Sequence, residues 1–197
     1  MSFVVGLTGP TGAGKSSVTS VAEQMGFKIV DCDKLARIAV QKDSEALNAL
    51  VGVFGNDILD SNGNLNRAAL AQKAFSTSQN TELLNKTLLP YICVLVQEQI
   101  TTDKVLLDAP TLFESGADSF CDEVIVVICD KKTRLSRIMA RDGIDEDSAL
   151  LRINAGKPDE YYIEKTNNIV YNDCELSVLG LKIQKLLIKL LEEHNNV

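Results

Sequence analysis

The chain has 197 residues with a formal net charge of −7, and 45% of them are hydrophobic against 24% charged. That size suits one α/β domain with a sizeable core, and the acidic balance argues against broad nonspecific binding to nucleic acid or anionic membrane. No apolar run is long enough to span a bilayer, and no basic segment precedes the first apolar stretch, so neither a membrane anchor nor a signal peptide is expected.

Taken in chain order, short apolar runs alternate with helical patterns, as in βαβ units around a parallel sheet. The expected strands are Phe3–Leu7, Phe27–Val30, Val105–Leu107, Val124–Cys129 and Ile169–Tyr171. Each is nearly all apolar, which fits strands covered on both faces. Gly9-Pro10-Thr11-Gly12-Ala13-Gly14-Lys15-Ser16 follows the first strand and opens a helical pattern. It fits G-x-x-x-x-G-K-[ST] without a gap. Glycines let the backbone wrap its N–H groups around phosphate oxygens, Lys15 reaches the β- and γ-phosphates, and the Ser16 hydroxyl suits Mg²⁺. The helix beginning at Lys15 adds its positive end.

The second strand runs into Asp31-Cys32-Asp33-Lys34. On an extended segment the two carboxylates point the same way, into the crevice where parallel sheets bind ligands. Two roles fit Asp33: orienting and deprotonating an acceptor hydroxyl, or capping a helix over Lys34–Val40. Residues 34–102 read as mostly helical, with a turn at Asp60–Asn64, a cap at Asn66 for a helix to Phe75, and Pro90 as a kink or a helix start. The third strand ends in Asp108, suited to holding a hydrated metal through water, pairing with the cradle or capping the loop. Phe113 and Glu114 follow as lining for an acceptor pocket or as loop anchors.

After the fourth strand, helices over Thr133–Arg141 and Asp145–Ala155 are expected, joined at Gly143. Arg134, Arg137 and Arg141 recur at spacings of three and four, on one helix face. Guanidinium groups there could neutralise the transferring phosphoryl, or form a solvated face paired with Asp142, Asp145 or Glu146. Arg152 and Lys157 are weaker candidates for the same lid, with Gly143 and Gly156 as hinge points. Leu176–Leu191 is a closing amphipathic helix. Five scattered cysteines without metal-ligand spacing, and one histidine, argue against a zinc site or a His-based triad. The cysteines fit reduced thiols and a cytoplasmic location.

No Asn-Lys-x-Asp string is present to read guanine, so a kinase is the reading favoured among P-loop proteins. These strings together resemble the dephospho-coenzyme A kinase family, in order over nearly the whole chain. The resemblance rests on the cradle, Asp31-Cys32-Asp33-Lys34-Leu35-Ala36-Arg37, Leu65-Asn66-Arg67, Leu107-Asp108-Ala109-Pro110-Thr111-Leu112-Phe113-Glu114, Arg137 to Gly143, Arg152-Ile153 and Ile169–Asn172. It implies a P-loop NTPase fold, three-layer α/β/α around a five-stranded parallel sheet. Within one domain over 1–197, the core would cover about 1–33, 103–132 and 166–197, a helical acceptor-side insertion about 34–102, and a lid about 133–165.

The resemblance also implies transfer of the ATP γ-phosphate to the ribose 3′-hydroxyl of dephospho-coenzyme A, with Mg²⁺. The acidic balance leaves no nucleic acid or membrane partner expected, and the oligomeric state is not readable from the sequence, a monomer being favoured. Another small hydroxyl or nucleotide acceptor, or a nucleotide-binding protein without turnover, are the alternatives. On the family pattern Asp33, Lys15 and Arg141 are catalytic. Gly9 to Ser16, Ser17, Arg137, Arg141 and Asn172 bind nucleotide, Asn172 near the adenine. Asp33, Arg37, Arg67, Asp108, Phe113 and Glu114 bind the acceptor. The chain departs from the pattern at Leu89, where the family commonly has His, at Gly156 in place of Gln, and at Cys174 in place of Gly.

Overall fold

The computed structural model describes residues 2–196. In chain order the elements are β1 (Phe3–Thr8), α1 (Lys15–Gln24), β2 (Lys28–Asp31), α2 (Cys32–Ala39), α3 (Glu45–Phe54), α4 (Arg67–Ala74), α5 (Ser78–Gln99) and β3 (Lys104–Asp108). They continue with α6 (Leu112–Ser115), β4 (Glu123–Ile128), α7 (Lys131–Asp142), α8 (Glu146–Ala155), α9 (Asp159–Ile163), β5 (Asn168–Tyr171) and α10 (Leu176–Asn195). The sheet order is β2-β3-β1-β4-β5, all parallel. All five expected strands are present, each within a residue or two of its expected ends.

The chain divides into two compact units. The first comprises residues 1–30, 102–112 and 118–197 and carries the sheet. β1 is buried along its whole length, and its central place in the sheet explains its unbroken apolar run. The core below the sheet joins Val5, Leu7 and Val127 to Val18 and Ala22 of α1 and to Leu179, Ile183, Leu187 and Leu190 of α10. The last four recur at spacings of three and four, which is the buried stripe of α10. Cys174 is partly buried against this same core, as a small apolar residue would be.

The second unit comprises residues 31–101 and 113–117 and is helical. Its core gathers Ala46, Leu50 and Phe54 of α3, Ile58, and Leu70 and Ala74 of α4, with Leu84, Leu88 and Tyr91 of α5 packed on it. Asn66 caps α4 by accepting from Ala69 N at 3.1 Å, as its sequence pattern predicts. At the expected turn, Asp60 Oδ1 accepts from the N–H groups of Asn62 and Asn64 at 2.8 and 2.9 Å. Pro90 lies inside α5, which runs through it. Its ring withholds one N–H from the helix ladder, so the sequence's alternative of a new helix beginning there does not hold.

One local expectation is corrected. α2 begins at Cys32 and its cap is Asp31, whose Oδ1 accepts from Lys34 N at 2.9 Å. Asp33 is therefore helical, in the first turn, and the two carboxylates do not share one face of an extended segment. The capping role goes to Asp31. α9 and the short α6 were not expected from the pattern; five and four residues are too few to show a helical period.

Candidate active site

The cradle is built at the end of β1, between Thr8 and the first turn of α1. Its glycines are required by geometry. Gly9 has φ 140°, and a Cβ there would stand 2.3 Å from the Val127 carbonyl oxygen of β4. Gly14 has φ 94°, and a Cβ would stand 2.1 Å from Asn172 Nδ2. Gly14 is also the N-cap of α1, and no side chain caps it, so the helix end offers its N–H groups to an anion. Lys15 Nζ donates to the Gly9 carbonyl at 2.9 Å, which holds the ammonium across the loop.

Three polar side chains brace the loop from behind. Asn172, 3% exposed, donates from Nδ2 to the Ala13 carbonyl at 2.8 Å. Arg137 donates to that carbonyl at 3.2 Å and to Asn172 Oδ1 at 3.3 Å, so one carbonyl and two side chains close a small network. Arg134 is 5% exposed; its Nε donates to the Thr11 carbonyl and its Nη1 to Asp159 Oδ1, both at 2.9 Å. The arginine row of α7 therefore splits: Arg134 is a buried clamp tying the loop to α9, while Arg137 and Arg141 line the cavity over the cradle.

That cavity measures about 570 Å³ and is also lined by Gly12, Gly14, Lys15, Ser16 and Asp108. Arg141 is held by its neighbour: its Nε and Nη2 donate to the two carboxylate oxygens of Asp142 at 2.7 and 3.0 Å. Arg152 of α8 donates to the same carboxylate. These hydrogen bonds, with Arg141 first among them, hold the Asp142 carboxyl below the usual carboxylate range. Behind the loop, burial pushes the Cys129 thiol up, against the opposing charge of Arg137. α7 and α8 are capped by Asp130 and Asp145, and Gly143 ends α7 in the left-handed region. Gly156 has an ordinary extended backbone with room for a side chain, so its departure from the family pattern is unforced.

The second unit contains its own cavity, about 360 Å³, with Asp33 and Arg37 of α2, Arg67 of α4 and Phe75 on its walls. Leu70, Leu84 and Leu88 supply apolar lining. The structure thus brings together Asp33, Arg37 and Arg67, three of the residues expected to face an acceptor. Phe75, 66% exposed, belongs to the same cavity and was read from sequence only as a helix end. Asp108 is placed with the cradle instead. Phe113 and Glu114 lie on α6; the Glu114 carbonyl accepts from Asn85 Nδ2 at 2.9 Å, and its Oε2 is buried without a hydrogen-bond donor.

A glycine-rich cradle at the head of α1, with Lys15, Ser16 and two arginines on its cavity, is built to hold a nucleotide's phosphates. The profile of the Dephospho-CoA kinase family matches residues 3–177. The chain belongs to that family. It is 37% identical over 186 residues to a dephospho-CoA kinase of Fusobacterium nucleatum, covering 93% of this chain and 96% of the relative. Among solved structures, one from Thermus thermophilus superposes with a TM-score of 0.76 at 26% identity, covering 98% of this chain and 97% of that one. The dephospho-CoA kinase of Campylobacter jejuni superposes with a TM-score of 0.67 at 24% identity, covering 99% and 100%, and supports the fold. Membership of the dephospho-CoA kinase family makes this chain a P-loop kinase.

Among the described residues no helix is long and apolar enough to cross a membrane, and no three His, Cys, Asp or Glu side chains gather as a metal site. Ser16 and Asp108 are two of the oxygen-bearing side chains on the cradle cavity, beside Thr19, Ser20 and Glu23. Two hard oxygens suit Mg²⁺, which keeps several waters and is completed by substrate phosphates.

Proposed function

We propose that the protein transfers the γ-phosphate of ATP to the 3′-hydroxyl of the ribose of dephospho-CoA, giving CoA and ADP, the last step of CoA synthesis. Family membership names the acceptor. The observation that carries the mechanism is the cradle cavity, in which Lys15, Ser16, Asp108, Arg137 and Arg141 line one space.

In this reading the loop N–H groups and the α1 N-terminus hold the β- and γ-phosphates, and Lys15 follows the charge that develops between them. Gly9 to Ser17 form this donor contact. Ser16, with Asp108 through water, would hold Mg²⁺, whose charge offsets that of the phosphate oxygens. Arg141 stabilises the transferring phosphoryl from the lid. Arg137 and Asn172 keep the loop in its binding shape, and Asn172 borders the nucleoside from that position.

Asp33 is the acceptor-side carboxylate: it orients the ribose hydroxyl and takes its proton as the oxygen attacks phosphorus. Its helical position, with Asp31 already capping α2, leaves its oxygens for that task. Arg37 and Arg67 pair with acceptor phosphates, and Leu70, Leu84 and Leu88 suit an apolar tail. Phe113 and Glu114 support the acceptor side. The cytoplasm is the expected compartment, since no disulfide joins cysteines among the described residues.

Steady-state ADP release is measured with dephospho-CoA, nucleoside monophosphates, shikimate and no acceptor. The account expects turnover with dephospho-CoA well above every other condition. Turnover only with a different acceptor would reassign the substrate. Tight ATP binding with no acceptor-dependent release would make the protein a nucleotide binder.

A further inference from the structure

Asp142 is the last residue of α7, where the helix dipole disfavours a carboxylate. It nevertheless lies there with its side chain only 17% exposed, and it receives two guanidinium groups. One is Arg141 of its own helix, gripped in a two-bonded fork through Nε and Nη2. The other is Arg152 of α8, donating from Nη1 to Oδ2. Arg141 itself is 61% exposed on its side chain and lines the cradle cavity, while Lys15 and Ser16 line the same space.

We propose that Asp142 is a positioning residue that sets the plane of the Arg141 guanidinium and couples it to Arg152, so that the lid presents aimed positive charge to the transferring phosphoryl. The inference rests on the reading of Arg141 given above. An exposed arginine has many rotamers, and fixing one in advance removes ordering cost from the transition state. The fork occupies Nε and one side of Nη2. Nη1 is left with both N–H groups for phosphate oxygens. Charge supports the same conclusion: one carboxylate against two guanidinium groups leaves the cluster with net positive charge. Arg152, which stands back from the cradle cavity, contributes through the shared carboxylate and stiffens the junction between α7 and α8.

A merely structural Asp142 would stabilise the lid without acting through Arg141. A double-mutant cycle on the full-length protein separates the two, with kcat and both KM values measured for ATP and dephospho-CoA. Arg141→Ala is expected to lower kcat about a hundredfold or more. Asp142→Asn keeps the side-chain shape and one acceptor oxygen; it is expected to lower kcat about tenfold, with the KM for dephospho-CoA unchanged. Asp142→Glu recovers part of that loss. In the Arg141→Ala background, Asp142→Asn produces no further loss, since its route of action has been removed.

Equal fractional losses in both backgrounds would overturn the proposal, as would an Asp142→Asn enzyme with wild-type kcat beside an impaired Arg141→Ala enzyme. An Arg141→Ala enzyme at wild-type rate would instead overturn the role given to Arg141. Thermal melting of each variant identifies loss of folded protein, and the kinetic constants are taken per folded molecule.

Discussion

The cradle and the acceptor cavity are built on opposite principles. Behind the phosphate loop, Arg134, Arg137 and Asn172 spend their hydrogen bonds on loop carbonyls, and Arg134 and Asn172 are almost wholly buried. Around the acceptor cavity Asp33, Arg37, Arg67 and Phe75 are exposed, and the leucines between them are the structured part of the wall. A phosphate chain presents the same oxygens every time, so a rigid, pre-aimed cradle gains at every turnover. In the proposed reading, an acceptor with phosphates, a sugar and a long tail would meet exposed charges over an apolar floor. The comparison teaches where stability and function are entangled: changes behind the cradle strike both, and changes at the exposed charges of the second cavity are expected to strike function without stability.

The largest expected effect tests the first half. Gly14→Ala puts a Cβ where Asn172 Nδ2 stands, in a backbone conformation that disfavours it. We expect loss of measurable ATP binding by calorimetry and a marked fall in melting temperature. Arg134→Ala removes a buried cation and strands Asp159 and the Thr11 carbonyl, costing about 3 kcal/mol in denaturant unfolding with ATP affinity lowered as well. Asn172→Ala leaves the Ala13 carbonyl with Arg137 alone, and about 1–3 kcal/mol is expected. On the acceptor side, Arg37→Ala and Arg67→Ala should each raise the KM for dephospho-CoA about tenfold, the worth of one charge-assisted contact, without moving the KM for ATP. Either arginine variant losing ATP affinity would erase the distinction.

Much of this was legible in the residues, and the misses share a cause. The cradle carries its own spacing, and the strands are apolar because both faces are covered, so local pattern sufficed. The cap at the head of α2 turned on two aspartates two positions apart. The deciding signal was the apolar pair Val30 and Leu35, which brackets Asp31 at the spacing of a hydrophobic staple and does not fit Asp33. Arg134 and Arg137 could not be told apart by spacing, because what separates them is which loop carbonyl lies opposite. Asn172 was expected to bind nucleotide from the family pattern alone. Its contact with Ala13 spans 159 residues of chain, and no local pattern encodes such a contact. Phe75 was missed because an aromatic at a helix end ordinarily packs inward, whereas here it stands on the rim of a cavity.

The central claim is that a donor cradle works with an acceptor-side carboxylate, and Asp33→Asn tests it most directly. The variant keeps the size of the side chain and leaves the Asp31 cap intact. Single-turnover phosphorylation of dephospho-CoA should fall at least a hundredfold, while ATP affinity by calorimetry and the melting temperature stay at wild-type values. Near-normal turnover would contradict the account and reduce Asp33 to an exposed residue in the first turn of a helix.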